Sequence, residues 1–282
     1  LLLFFPERKE DLPPKVDMTR RVRIDLAYDG AAYVGWQMQP NGLSVQEVVE
    51  KALVAVLKSP ERIVLNCAGR TDAGVHALRH PCQIDIAARI GDAELQRALN
   101  TLLPDDIAAV AVATVAPDWN PRHDATRKSY RYIIHNSVVP DPFLHNRVWR
   151  LGGRLDERAM RHGAAHLVGQ HDYTSFRAAR CFAKTSQRRI LRLDVTRDGD
   201  RIVIETTGTG YLKHMVRNIV GVLVEVGLGK RPPEWVADVL AARDRQKGGR
   251  CAPPGGLYMV GVDYDGPKHR DMNDEDDDDG MD

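Results

Sequence analysis

Asp72 stands in the string Gly69-Arg70-Thr71-Asp72-Ala73-Gly74-Val75-His76-Ala77, where a lone carboxylate is set among small residues with a glycine on either side. Small residues let a bulky ligand approach the backbone closely. An ionised carboxylate in such a loop can act as a nucleophile or a general base, although an Asp beside Gly is also an ordinary turn or capping residue. Other chemistries fail on spacing. His76 and His80 are four apart, but Ala77 follows His76 where a zinc-protease helix would carry Glu. Gly208-Thr209-Gly210 has Lys213 in place of the third glycine of a dinucleotide fingerprint, and Gly229-Lys230-Arg231 lacks the earlier glycine of a phosphate loop. His166, His171 and Asp172 have two unrelated spacings and read as solvated polar structure. No metal is expected, and neither nucleotide-binding motif survives.

The elements that must hold this loop are legible as periodic segments. From Arg21 the run RVRIDLAY alternates, placing Val22, Ile24, Leu26 and Tyr28 on one face of a half-buried strand that ends at the Asp29-Gly30 turn. Ser44 and Glu47 form a capping box before an amphipathic helix through Val56. Arg62 to Ala68 and Cys82 to Ala88 predict two strands around the loop, followed by an Asp92-capped helix to Leu103 and a strand from Ile107 to Val115. A similar series follows. It has a strand at Thr126 to Asn136, a helix at Leu155 to Val168, and strands at Arg188 to Thr196 and Arg201 to Thr207. Helices at Tyr211 to Val226 and Pro233 to Arg243 come next, then a last strand near Tyr258 to Asp263. This order favours an α+β fold with a mixed, mainly antiparallel sheet, and the Asp198-Gly199-Asp200 turn supports a hairpin. The Pro117 to Asp124 stretch marks a boundary. The expected division is an N-terminal extension at 1–17, an α+β domain at 18–121 carrying the loop, a second at 122–266, and an acidic tail at 267–282. Both ends are expected to be disordered, with Met18 as the natural start.

The 282 residues are 43% apolar and 28% charged, which excludes collagen-like, coiled-coil and wholly disordered chains. The formal charge of +1 hides an asymmetry, because residues 271–282 hold eight acidic side chains and no basic one. Without them 40 basic face 31 acidic side chains, a net +9 that suits a polyanionic partner. No run reaches the ~18 apolar residues of a membrane span. The four cysteines, Cys67, Cys82, Cys181 and Cys251, form no CxxC pair and read as reduced thiols of a cytoplasmic protein.

The nine-residue loop resembles the GRTDAGVHA loop of the tRNA pseudouridine synthase A family, and the likeness extends well beyond it. Tyr28-Asp29-Gly30 with Tyr33, Gly35-Trp36-Gln37, Gln39 and Ser44-Val45-Gln46 resemble the family's opening. Lys128-Ser129-Tyr130-Arg131-Tyr132-Ile133 resembles its tyrosine-bearing strand, and Gly210 to Gly221 (GYLKHMVRNIVG) its basic helix. Ala252-Pro253-Pro254 with Gly256-Leu257 resembles its closing APPxGL. The likeness therefore runs from about Arg21 to Tyr264. Departures are few: after Ala77 the usual leucine-glycine-glutamine becomes Leu78-Arg79-His80-Pro81-Cys82-Gln83, which loosens the register of the following strand, and the acidic tail is an addition.

The resemblance implies the pseudouridine synthase fold, with two similar domains sharing a central sheet flanked by helices and a cleft between them. It implies a homodimer acting on tRNA, at uridines about 38 to 40 of the anticodon stem-loop, with no DNA or membrane partner. Asp72 would be the nucleophile, Arg217 the cation beside it, and Tyr130 a group stacking on the target uracil or moving a proton; Arg70, adjacent to the loop and suited to a phosphate or to the space left by an extruded base, is read as a binder of substrate. Read from residues alone, Tyr130 and Tyr132 could equally be a core pair, and Lys213, His214 and Arg217 a solvated basic face. Two rivals are a noncatalytic RNA-binding module of the same fold and an N-glycosidase using Asp72 with His76.

Overall fold

The computed structural model describes residues 19–179 and 181–265. The proposed extension at 1–17, Met18 and the acidic tail lie outside the described residues. Among the described residues ten strands form one mixed sheet, ordered β4-β1-β3-β10-β5-β9-β8-β7, with β2 paired to β3 and β6 to β5. The fold is α+β, with the central sheet flanked by helices.

The described residues open with β1 (Arg20–Tyr28), whose alternating Val22, Ile24, Leu26 and Tyr28 are buried. Helix α1 (Val45–Leu57) begins as the capping box requires, the Glu47 N–H donating to the Ser44 hydroxyl at 3.2 Å. The expected strand at Arg62 to Ala68 shrinks to β2 (Asn66–Cys67), because the Leu65 N–H donates to the buried Glu50 carboxylate rather than to a neighbouring strand. Strand β3 (His76–Ile86) starts six residues earlier than expected, inside the glycine loop, since the His76 and Ala77 backbones pair in parallel with Tyr258 and Met259. Helix α2 (Asp92–Leu102) is capped by Gly91 rather than by Asp92, whose carboxylate binds Arg20 and the Thr114 N–H instead. Strand β4 (Ile107–Thr114) closes this half, and α2 packs on it.

The second half comprises β5 (Arg127–His135), β6 (Trp149–Arg150), α3 (Glu157–Ala165), β7 (Gly169–Asp172), β8 (Gln187–Asp198) and β9 (Arg201–Gly208). Helices α4 (Met215–Gly227) and α5 (Trp235–Ala242) and strand β10 (Leu257–Asp263) complete it. His171 and Asp172, read as solvated polar residues, lie on β7, with the Asp172 carboxylate accepting from the Thr174 N–H and hydroxyl. The hairpin between β8 and β9 turns at Gly199, whose φ of +54° needs glycine.

The last strand carries the architecture. β10 lies between β3, with which it is parallel, and β5, with which it is antiparallel, so the C-terminal strand joins the two halves into one sheet. Its side chains divide accordingly: Met259 and Val262 pack in the core built on β1, α1 and α2, and Leu257 in the core built on α3, α4 and α5. Tyr130 touches both cores. One register row therefore crosses the seam, with Ala77 opposite Met259, Met259 opposite Tyr130, and Tyr130 opposite Thr206.

Helix α4 is held against the segment just before β10. A methyl group at Gly221 would sit 1.7 Å from the Arg250 carbonyl oxygen, which is backbone and cannot turn aside. Gly221→Ala is therefore expected to cost about 2–4 kcal/mol of stability, read from a urea midpoint at unchanged slope. A loss below about 1 kcal/mol would mean that helix and segment are not held in register. The four cysteines are free, and Cys67 and Cys82 face each other across β2 and β3 with both thiol pKa values pushed up by burial, that of Cys67 to about 11.

Candidate active site

Asp72 lies on the loop between β2 and β3, and three backbone contacts fix it. The Trp36 N–H donates to the Thr71 carbonyl at 3.0 Å, and Gly35 pairs with Asp72 as an isolated bridge. Gly35 has φ +113°, and a side chain there would lie 2.8 Å from the Thr71 carbonyl oxygen, so glycine is required twice over. The Val75 N–H closes a turn onto the Asp72 carbonyl at 3.1 Å. Below the loop the buried Thr71 hydroxyl meets that of Tyr28 at 2.8 Å, and the same tyrosine oxygen lies 3.1 Å from His80 Nδ1. Burial pushes the His80 pKa down to about 3, which keeps this ring neutral inside the core.

Two cationic or basic groups from the start of α4 meet the carboxylate. Arg217 Nη1 donates to Asp72 Oδ2 at 3.1 Å, and His214 Nε2 lies 3.4 Å from the same oxygen. Asp72 is 26% exposed, so it is shielded enough for these charges to matter and open enough to meet a ligand. Arg217 is itself positioned: its Nε donates to the Ala252 carbonyl at 2.8 Å, while the Ala252 N–H returns to the Arg217 carbonyl at 3.1 Å. The neighbouring Pro253 carbonyl accepts from the Tyr132 hydroxyl at 2.8 Å, and Pro254 packs against Gly74 of the loop. The Ala252-Pro253-Pro254 segment thus wedges between α4, β5 and the Asp72 loop.

Helix α4 begins four residues later than its periodicity suggests. Lys213 and His214 form a turn closed by the Met215 N–H on the Leu212 carbonyl at 3.0 Å, and His214 takes a left-handed conformation at φ +62°. That conformation costs a non-glycine residue about 1–2 kcal/mol. Met215, Ile219 and Val222 face the core, as their spacing requires. The basic stripe is not a uniform solvated face, because Lys213 is exposed while Arg217 turns inward. Burial lowers the His214 pKa, opposed by the Asp72 charge and reinforced by Arg217, Lys213 and Arg245.

Tyr130 and Tyr132 share a face of β5 but not a role. Tyr132 is wholly buried in the core, whereas Tyr130 is partly exposed and packs edge-to-face on Tyr211 at 5.1 Å. Burial and the nearby Asp72 charge push the Tyr130 pKa well above that of an ordinary phenol, so this hydroxyl keeps its proton at neutral pH and can donate a hydrogen bond. Tyr130→Phe is expected to fold normally and to slow any reaction at Asp72 by about 10- to 100-fold at saturating substrate. Single-turnover rates beside a thermal melt check this, and an unchanged rate would leave Tyr130 a packing residue. Arg70 is exposed two residues before Asp72.

His76 is not part of this constellation. Its Nε2 donates to the carbonyls of Asn146 at 2.9 Å and Gly255 at 3.1 Å, its Nδ1 accepts the Gly30 N–H at 3.0 Å, and its ring stacks on Tyr258. It ties three loops together, which removes the second group from the N-glycosidase reading. Arg79, just beyond this histidine on β3, pairs at 2.6 Å with the buried Asp25. Among the described residues no cluster of three or more His, Cys, Asp or Glu could hold a metal ion.

Residues the sequence reading missed are Gly35 as the partner of Asp72, and His214 as a group touching its carboxylate. Both belong to motifs that were noticed, but pairings between loops and a left-handed residue before a helix leave no periodic signal.

Comparison with known proteins shows which family the chain resembles. A family model described as tRNA pseudouridine synthase matches residues 164–265. The chain is 45% identical over 252 residues to a tRNA pseudouridine synthase A of Myxococcus xanthus, covering 89% of this chain and 94% of that one. It is 44% identical over 245 residues to the protein of that name from Geobacter sulfurreducens, and 42% identical over 245 residues to that from Geotalea uraniireducens, covering 87% of this chain and 100% of each relative. With two fifths or more of the residues shared along the full length of such relatives, the chain belongs to the tRNA pseudouridine synthase A family.

Proposed function

We propose that the protein isomerises uridine to pseudouridine in tRNA, at positions about 38 to 40 of the anticodon stem-loop, with Asp72 as the nucleophile. The observation that carries this reading is the partly exposed Asp72 carboxylate paired with Arg217 at 3.1 Å, on a loop clamped from three sides. Family membership supplies the reaction class.

The reaction breaks the C1′–N1 bond, and its electron pair leaves with the uracil ring. The ring turns, C5 bonds to C1′, the C5 proton is lost, and N1 takes up a proton. Nothing is oxidised or reduced, so no cofactor is required. An ionised carboxylate can serve by attacking C1′, by adding to C6, or by taking the C2′ proton, and each route needs it beside the ribose. Arg217 balances its charge, and the protonated Tyr130 stands where a flipped base would meet a ring face and a donor. Arg70, exposed two residues before Asp72, suits a phosphate or the gap left by the extruded nucleotide. The net basic body agrees with an RNA partner. We extend the proposal to a cytoplasmic homodimer holding one tRNA across both subunits, supported by the family resemblance; among the described residues no helix is long and apolar enough to cross a membrane.

Nucleoside analysis of transcript tRNAs in which uridines 38 to 40 are replaced one at a time tests this. Pseudouridine is expected wherever a uridine remains in that window. Free uracil, or product only outside the window, would overturn the assignment.

A further inference from the structure

We infer that His214 is a positioning residue for Asp72, its imidazole closing off Oδ2 beside Arg217 and leaving the other carboxylate oxygen to the ribose. The inference rests on the reading of Asp72 as the reacting group.

Two independent features point to it. First, the ion pair from Arg217 and the approach of His214 end on one oxygen, Oδ2, at 3.1 and 3.4 Å. A carboxylate held from one side by two groups keeps a fixed orientation, and its second oxygen is the one a substrate can meet. Second, the backbone of His214 is left-handed where a helix start does not need it. Lys58 and Arg243 are also left-handed, but they end helices, where that conformation is ordinary. A residue before a helix usually has extended backbone. Strain retained at a position whose side chain ends on Asp72 is what a functional constraint produces.

The charge state follows from the surroundings. Facing His214 are Asp72 from the loop, Arg217 on α4, Lys213 just before it, and Arg245 from the turn after α5. Three cations and partial burial oppose protonation, and one carboxylate favours it. The ring is therefore neutral at pH 7 and orients Asp72 without adding a second positive charge. Below its lowered pKa the imidazolium would pair with Oδ2 and weaken the nucleophile, so the wild-type rate should fall as pH drops past a point below the usual histidine range.

His214→Gly and His214→Asn test this, because both residues accept a left-handed backbone. Both variants are expected to melt at or above the wild-type temperature and to bind tRNA within about 2-fold of wild type, yet to react about 10- to 100-fold more slowly in a single turnover. Their acid limb should move to lower pH. Wild-type rates in both variants, an unmoved acid limb, or activity that falls only in step with the melting temperature would overturn the inference. Asp72→Asn, assayed alongside, separates the two claims. If it remains active, the reading of Asp72 fails; if it is inactive while both His214 variants match wild type, only the role of His214 fails.

Discussion

Asp72→Asn should lose isomerisation by on the order of 10⁴-fold or more while keeping tRNA binding within a few-fold. The amide has the shape of the carboxylate but neither its charge nor its nucleophilic oxygen. Little else in the loop depends on that side chain, because the loop is held by backbone contacts of Thr71, Asp72 and Val75 and by the buried Thr71 hydroxyl. The variant should therefore fold. Product formed under single-turnover conditions, with binding measured by gel shift, gives the outcome. A noncatalytic RNA-binding module would show no activity in either protein, whereas an active Asp72→Asn variant would place the chemistry elsewhere.

Arg217→Met should be the next most damaging change, slowing the reaction by about 10²- to 10³-fold. It removes the cation from a partly buried carboxylate, and it also removes the donor to the Ala252 carbonyl that holds the wedge segment on α4. A loss of about 1–3 kcal/mol of stability should accompany the rate effect, because that carbonyl loses its partner. Arg217→Lys is expected to recover part of the rate and little of the stability, since an ammonium can reach Asp72 but cannot also bridge to Ala252 with the guanidinium fork. Equal rates for Met and Lys would show that the positive charge is not what matters. Both variants should be compared at saturating RNA, so that binding by the basic surface does not mask the chemical step.

Local physics was readable from the chain. The alternation in β1, the Ser44 cap of α1 and the Gly199 hairpin each depend on residues within a few positions, and the structure places them within a residue or two of expectation. Non-local pairing was not. The early start of β3 at His76 depends on Tyr258 and Met259, nearly two hundred positions away, and the glycines around Asp72 make that stretch read as pure loop. The insertion of β10 between β3 and β5 leaves no trace in its own alternation. The late start of α4 is a similar case, because the apolar spacing continues smoothly through Leu212 while His214 breaks the helix. The nearness of Asp72 and Arg217 came from the family resemblance rather than from spacing. The contact of His214 with that carboxylate needed coordinates.

Forming the C5–C1′ bond expels the hydrogen carried by C5, which gives a direct reading of the reaction itself. With tRNA labelled by tritium at uridine C5, the wild-type protein should release one tritium to water for each target uridine converted, and Asp72→Asn, at equal RNA occupancy, should release none. Release by the Asn variant at a rate near that of wild type would contradict the assignment of Asp72 as the reacting group.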